Sequence, residues 1–330
     1  MRISIDDRQV NRLAEFFRTP PFADAFYQEI MPQVSAPTDS VVSAVLWAAA
    51  ICHNTKGGLC GTFDGRTYHG WDYLLRAFCA IAEREPTMLV PSKMLEMDGH
   101  LLHHLLSVNA SDGEISLRDI DNRAALIQRL ASQILSEFDG QVLEILARSR
   151  GFAGGPTGAY NQLAKLDAFQ DPLRKKSSVF LMGIHFARIW TAGDQGELFP
   201  MIDYHRLRLL CRLGCLVIND NAVLADLVAQ RPVESDVEVE MRNLAFTVCK
   251  RIVELSGTPM FEFDMLLWAH ARSCCRHKPV CIGQMPEDSS FYRFISKPFV
   301  GRCEFQDWCA GYRDESVRAI WEPIVSTEHY

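Results

Sequence analysis

The sequence lacks the features that mark membrane, secreted and repeat proteins. No stretch reaches the roughly 18 consecutive apolar residues that a membrane-spanning helix needs. The N-terminal segment carries Asp6 and Asp7 and has no apolar core, so we expect no secretory signal. Internal repeats and low-complexity segments are also missing. We therefore expect a globular protein of the cytoplasm that has no membrane partner.

The chain has too few basic residues for a protein that binds nucleic acid mainly through phosphate contacts. The chain has 34 Lys and Arg against 41 Asp and Glu, which gives a net charge of −7. Broad binding to a phosphate backbone requires a surface rich in Lys and Arg. The charge balance therefore disfavours DNA as a partner without excluding it, and a small-molecule substrate fits better.

Cysteine, by contrast, is abundant. Eleven cysteines in a chain without a secretory signal indicate a reducing compartment. There they serve in packing, in catalysis or as metal ligands rather than in disulfides. Cys52, Cys60 and Cys79 are expected to be packing residues.

Apolar residues recur at helical spacing along most of the chain, and strand-like alternation is scarce. The spacing predicts helices over 6–18, 41–53, 119–149 with a break near 138–140, 204–213, 237–256 and 263–275. The fold class is therefore all-α or mostly α. We expect a helical domain over 1–273 and a Cys-rich tail over 274–330 that packs on the same domain.

Residues 199–214, FPMIDYHRLRLLCRLG, are the stretch most suggestive of a site. Four apolar residues at 199–202 precede Asp203, and an amphipathic segment follows it and ends at Gly214. Asp203 stands where a helix N-cap belongs, at the positive end of the helix dipole. An acid held there can stay ionised next to a cationic transition state. The alternative is that Asp203 only caps the helix and has no catalytic role.

The tail carries two close cysteine pairs. They read CCRHKPVC at 274–281 and CEFQDWC at 303–309. Two such pairs can supply four thiolates to a [4Fe–4S] cluster or to a zinc ion. Zinc ligands are usually separated by about two to four residues, so the wider spacing here favours iron–sulfur. Cys275 is a competing ligand, and unrelated buried thiols are the alternative.

The tail resembles the iron–sulfur loop of helix-hairpin-helix DNA glycosylases, which runs Cys-x6-Cys-x2-Cys-x5-Cys with a Lys-Pro before the second Cys. The matching residues are Cys274, Lys278, Pro279, Cys281, Cys303 and Cys309. The middle gap is 21 residues here, so an insertion at 282–302 must loop out. The resemblance implies a [4Fe–4S] cluster, with zinc as the alternative, on Cys274, Cys281, Cys303 and Cys309.

The stretch around Asp203 is similar to the catalytic run of the same superfamily, an apolar residue before Asp-Thr-His, with Arg-Leu-Gly farther on. Here the run reads Ile202-Asp203-Tyr204-His205 and ends in Arg212-Leu213-Gly214. In that superfamily the acid helps to break the bond between base and sugar. The resemblance implies the same role for Asp203.

A second resemblance, over roughly residues 40–270, is to the queuosine salvage proteins, which are queuosine 5′-phosphate N-glycosylases of a glycosylase-like helical fold. The matching segments, in the order of the family, are Ser40–His53, Gly65–Trp71, Phe138–Gly140, Ile189-Trp190, Phe199, Asp203-Tyr204 and Asp264–Trp268. The family has an acid in place of Arg188 and an Arg in place of His205, and its ordinary members lack the cysteine tail. The resemblance implies two helical lobes with a catalytic cleft between them.

These resemblances imply an N-glycosidic bond hydrolase that releases a 7-deazaguanine (queuine-type) base from a nucleoside 5′-phosphate. Asp203 would stabilise the oxocarbenium-like sugar or position the attacking water. Asp264 could accept hydrogen bonds from the base while Trp268 or Tyr204 stacks on its ring. The candidates for contact with the phosphate are His205, Arg188 and Lys176.

Two other functions stay open. A DNA base-excision glycosylase with a [4Fe–4S] cluster would share the Asp203 chemistry, and Lys175 or Lys176 could then form a Schiff base. The net charge of −7 and the lack of a Gly-x-Gly hairpin around Gln170–Arg174 disfavour it. The third possibility is a non-catalytic module that kept the fold and binds nucleic acid or protein.

Overall fold

The computed structural model describes residues 2–18, 22, 26–55, 58–111, 113–287 and 290–325. Helices dominate these residues, and the strands pair into small two-stranded antiparallel sheets. The predicted mostly helical class is therefore confirmed. Among the described helices, none is long and apolar enough to cross a membrane.

The chain divides into two compact units. The first combines Met1–Glu29 with Phe199–Thr327, and the second is formed by Ile30–Leu198. The cysteine tail thus belongs to the same unit as the stretch 199–214 that contains Asp203.

The secondary-structure elements follow one another along the chain in three groups. The chain begins with β1 (Ile3–Ile5), α1 (Asp7–Phe17) and α2 (Phe26–Ile30). The second unit then contributes α3 (Thr38–Ala50), β2 (Cys60–Phe63), β3 (Arg66–His69), α4 (Trp71–Arg84), α5 (Pro91–Met94), α6 (Gly99–Ser107), α7 (Ile120–Glu137), α8 (Val142–Ser149), α9 (Ala159–Leu163) and α10 (Lys175–Phe186). The first unit continues with α11 (Tyr204–Leu213), β4 (Leu216–Ile218), α12 (Asn221–Val228), α13 (Ser235–Ser256), α14 (Met260–Ser273), α15 (Ser290–Phe294), α16 (Ala310–Arg313) and α17 (Glu315–Ala319).

Helix α3 is the buried centre of the second unit. Every residue from Ser40 to Ala50 is buried, as expected for a helix with apolar residues on nearly every side. Helices α4 and α10 pack against it. Gly183 of α10 permits a close approach, because a Cβ at that position would lie 2.5 Å from a methyl carbon of Val45.

Helix α11 is the centre of the first unit. It begins after Asp203, whose Oδ1 accepts a hydrogen bond from the main-chain N–H of Arg206 at 3.0 Å. It ends at Gly214, which has a left-handed φ of 83°. The predicted bounds 204–213 are the observed ones. All residues from Arg206 to Leu213 are buried, so α11 is a core helix and not an amphipathic surface helix.

The substitution Gly214→Ala tests how α11 ends. An added Cβ would lie 2.9 Å from the Cβ of Ala310, and the left-handed conformation is itself unfavourable for alanine. We expect the free energy of unfolding to fall by more than the roughly 1 kcal/mol that left-handed backbone alone costs, as measured by urea denaturation.

Gly257→Ala is the matched control. Gly257 follows α13 with a φ of 76°, and nothing lies within 4 Å of an added Cβ. This variant therefore carries the conformational cost without the steric one. Equal losses of stability in the two variants would contradict the packing argument.

Candidate functional site

Three charged side chains form a buried network where α11 meets α14. Arg206 Nη1 lies 3.2 Å from Asp203 Oδ2, and its Nε donates to Asp264 Oδ1 at 3.0 Å. Its Nη2 donates to the main-chain carbonyl of Asp264, also at 3.0 Å. One guanidinium thus fixes two acids that are far apart in the sequence. Burial by itself would lower the pKa of Arg206, but the two acids raise it by more, so the group stays charged.

The two acids have different surroundings. The side chain of Asp264 is 0% exposed, and its second oxygen accepts a hydrogen bond from Met201 N at 2.9 Å. Burial raises the pKa of Asp264 to about 6, against the attraction of Arg206. The side chain of Asp203 is 10% exposed. Asp203 is therefore the acid that retains surface for a ligand. Asp264 could accept the predicted hydrogen bonds from a base only if its present donors, Met201 N and Arg206, were displaced.

Three other predicted site residues of the first unit keep partly exposed rings. Tyr204 and His205 lie in the first turn of α11 with their ring centroids 4.3 Å apart. His205 Nδ1 is 3.3 Å from Arg208 Nη2. Trp268 is half-buried on α14, and the guanidinium of Arg272 stands 4.8 Å from its ring centroid. These rings could contact a ligand without unfolding the helices that carry them.

Arg188 and Lys176, the remaining predicted phosphate contacts, belong to the second unit. Arg188 follows α10 and is exposed, with a left-handed φ of 59°. Lys176 is 2% exposed, and its Nζ donates to the carbonyl of Ala50 at 2.7 Å. The neighbouring Lys175 is also buried, with Nζ 3.2 Å from Cys52 Sγ. Contact with phosphate, or formation of a Schiff base, would require either lysine to leave its present partner.

Two further arginines of α11 join this helix to the tail. Arg208 pairs with Glu322, and its Nε donates to the carbonyl of Cys275 at 3.0 Å. Arg212 Nη1 donates to the carbonyl of Arg276 at 2.6 Å. Burial lowers the pKa of Arg208 to about 10, which leaves it charged at neutral pH. Sequence reasoning missed these residues and Arg206, although several arginines on an otherwise apolar helix are a signal for buried ion pairs.

The thiols of the tail lie close to α11 and α14. Cys309 Sγ donates to the carbonyl of Arg212 at 3.3 Å, and Cys303 Sγ is 3.2 Å from His270 Nε2. Burial raises the pKa of Cys274 and of Cys309 to about 12. Without a metal these thiols are therefore neutral.

The donor set is chemically suited to a metal centre. Thiols that gain zinc or iron lose their protons, and cysteine thiols are the ligand type of an iron–sulfur or four-cysteine zinc site. Among the described residues, no three His, Cys, Asp or Glu side chains are arranged to hold a metal ion. The ligand types are thus present, and their convergence on one metal centre stays a prediction.

No family model and no curated protein matches the chain. The resemblances to queuosine salvage proteins and to DNA glycosylases therefore depend on the motifs quoted from the sequence.

The raised pKa of Asp264 predicts a pH dependence of stability. The folded protein binds this proton more tightly than the unfolded chain, whose carboxyl has the ordinary pKa of 3.8. The contribution is fully present below 3.8 and is lost as the pH rises through about 6. We expect the stability of the wild-type protein relative to the Asp264→Asn variant to fall by up to about 3 kcal/mol from pH 4 to pH 7.

Urea denaturation of both proteins at several pH values measures this difference. The Asn side chain cannot titrate, so the variant removes this one ionisation and keeps the others. A difference in stability that is constant with pH, or that grows as the pH rises, would show that Asp264 is not the group we describe.

Proposed function

We propose that the protein hydrolyses the N-glycosidic bond of a nucleoside 5′-phosphate that carries a modified, 7-deazaguanine-type base, with Asp203 as the catalytic carboxylate. The proposal depends on the environment of Asp203. This residue caps α11, its Oδ2 lies 3.2 Å from the buried guanidinium of Arg206, and its side chain is 10% exposed. The helix dipole and Arg206 both favour the ionised form. An ionised acid in such a place suits a reaction that builds positive charge on a sugar.

In the proposed reaction, the bond between C1′ and the base nitrogen breaks, and its electron pair leaves with the base. The sugar becomes oxocarbenium-like, and the Asp203 carboxylate stabilises the charge or orients the water that adds to C1′. A proton from that water replaces the lost bond on the base. Arg206 holds the carboxylate in place, and Asp264 holds Arg206.

The recognition of the substrate is assigned to side chains near the start of α11 and on α14. Trp268 or Tyr204 would stack on the base, because both rings are half-buried and keep an open part. His205 would contact the 5′-phosphate, and Arg188 and Lys176 of the second unit stay the other candidates predicted from the sequence. Of these, Lys176 is the least accessible, since its ammonium is bound to the end of α3.

The cofactor part of the proposal is a [4Fe–4S] cluster held by thiolates of the tail, with zinc as the alternative. The ligands would be Cys281, Cys303 and Cys309 together with Cys274 or Cys275. A bound cluster would supply a cross-link within the tail and a site for electron transfer. No step of the hydrolysis passes through it.

A DNA base-excision glycosylase is the second candidate. Its support is the cysteine tail, which resembles the iron–sulfur loop of such enzymes more than any part of an ordinary salvage protein. The same Asp203 chemistry would serve it. The net charge of −7 counts against a protein that must hold a duplex.

The substrate is tested by incubating the protein with queuosine 5′-phosphate, queuosine or duplex DNA containing a damaged base, and by following released base with chromatography. We expect release from the nucleoside 5′-phosphate. Release from DNA alone would replace the first proposal with the second. Release from none of them would favour a non-catalytic binding module.

Asp203→Asn separates the catalytic role of this residue from its capping role. Asparagine caps helices as well as aspartate does, so α11 should still form. The charge next to the sugar is lost, and we expect the rate of hydrolysis to fall by about 100-fold or more. Circular dichroism would confirm that the variant is folded.

Asp220→Asn is the matched control, because Asp220 caps α12 through the same kind of side-chain hydrogen bonds, to Ala222 N and Val223 N. This variant should keep full activity. If a folded Asp203→Asn variant hydrolyses the substrate at the wild-type rate, Asp203 is only a helix cap and not the catalytic carboxylate.

A further inference from the structure

Cys52 and Lys175 are buried against each other in the second unit. The Nζ atom of Lys175 donates to Cys52 Sγ at 3.2 Å, and the two residues are 5% and 7% exposed. Cys52 follows the C-terminal end of α3, and Lys175 is the first residue of α10. The contact therefore joins the ends of two helices that pack on each other.

The main chain holds both residues in place. Cys52 N donates to the carbonyl of Ala49 at 3.4 Å, at the end of α3. Lys175 N donates to a carboxylate oxygen of Asp171 at 2.9 Å, and Asp171 is itself buried. The approach of the nitrogen to the sulfur is thus part of the packing of this unit and does not depend on flexible surface side chains.

Other cations gather at the same end of α3. Lys176 Nζ donates to the carbonyl of Ala50 at 2.7 Å, and the guanidinium of Arg123 donates to the carbonyl of Ile51. These carbonyls belong to the two residues that directly precede Cys52. Cations close to a thiol stabilise its thiolate, which is the reactive form of the group.

His53, the next residue in the chain, adds a buried polar atom to this cluster. Burial lowers the pKa of His53 to about 2, and the charges of three nearby cations act in the same direction, so the ring is neutral. Its Nδ1 has no hydrogen-bond partner in the part of the chain that the structure describes. A polar atom of this kind can bind a hydroxyl group, such as one of hydrogen peroxide.

We propose that Cys52 and Lys175 are a site of covalent modification, at which hydrogen peroxide joins the sulfur to the nitrogen. The thiolate of Cys52 attacks the peroxide, so an S–O bond forms, the O–O bond breaks, and the sulfur is oxidised while the peroxide is reduced. The leaving hydroxide takes a proton from the ammonium of Lys175 and becomes water. The neutral amine then attacks the sulfenic acid: an S–N bond forms, the S–O bond breaks, and the leaving hydroxide becomes a second water with one amine proton.

The geometry favours the second step over competing reactions. Sγ and Nζ lie 3.2 Å apart, within the roughly 3–3.5 Å that separates atoms placed for reaction. Cys79 of the same unit is a matched comparison, because it is 3% exposed and burial raises the pKa of its thiol to about 12. Cys79 is therefore a neutral thiol of similar burial, and we expect it to stay unmodified.

The test treats the full chain with hydrogen peroxide, alkylates the remaining thiols and maps the peptides by mass spectrometry without a reductant. We expect a cross-linked pair that joins Cys52 to Lys175 and lacks two hydrogen atoms relative to the separate peptides, and dithiothreitol should release it. Cys79→Ser should form the same link. Lys175→Arg keeps a cation beside the sulfur but has no amine, so the link should be lost and dimedone should trap a sulfenic acid at Cys52.

Wild-type protein in which Cys52 stays unmodified while the more exposed Cys60 is oxidised would overturn the inference. A disulfide of Cys52, or a link to Lys176 in place of Lys175, would also overturn it. These outcomes are read from the wild-type protein alone, so they remain decisive if Lys175→Arg fails to fold. They are also independent of whether the protein hydrolyses any of the tested nucleosides.

Discussion

The burial of three guanidinium groups on one helix is the constraint on which the first unit depends. A charge removed from water is destabilising unless it is paired and its hydrogen bonds are satisfied. Arg206, Arg208 and Arg212 of α11 are each 2–3% exposed. Their partners come from α14, from the segment after it and from the C-terminal residues around Glu322. These segments must therefore pack on α11 for the unit to fold.

This constraint also gives the two acids near Arg206 different roles. Asp264 is enclosed, so its carboxylate is held away from water and its pKa rises to about 6. Asp203 shares the same cation but stands at the helix N-terminus with part of its side chain open. The difference follows from position and not from residue type. It makes Asp203 the candidate for chemistry and Asp264 a residue that positions Arg206.

Local patterns in the sequence were enough to predict α11, because its signals lie at its own ends: Asp203 before it and Gly214 after it. They also predicted α3, whose apolar residues cover every side. The arginines on the otherwise apolar α11 signal buried ion pairs, but local patterns could not predict their partners, since Asp264 and Glu322 are far away in sequence. For the same reason, the spacing of the cysteines could not show that Cys274 lies beside Ser273 and Cys275 beside Arg212.

Helix α11 connects the two parts of the proposal. Its first residues lie beside Asp203, and Arg212 near its last turn contacts both Cys275 and Cys309. A metal centre in the tail would thus act on the acid only through the position of this helix. Arg206 and its two acids pair without any contact with the tail cysteines. If the tail binds a metal as proposed, these contacts favour a structural role for it over a part in the reaction.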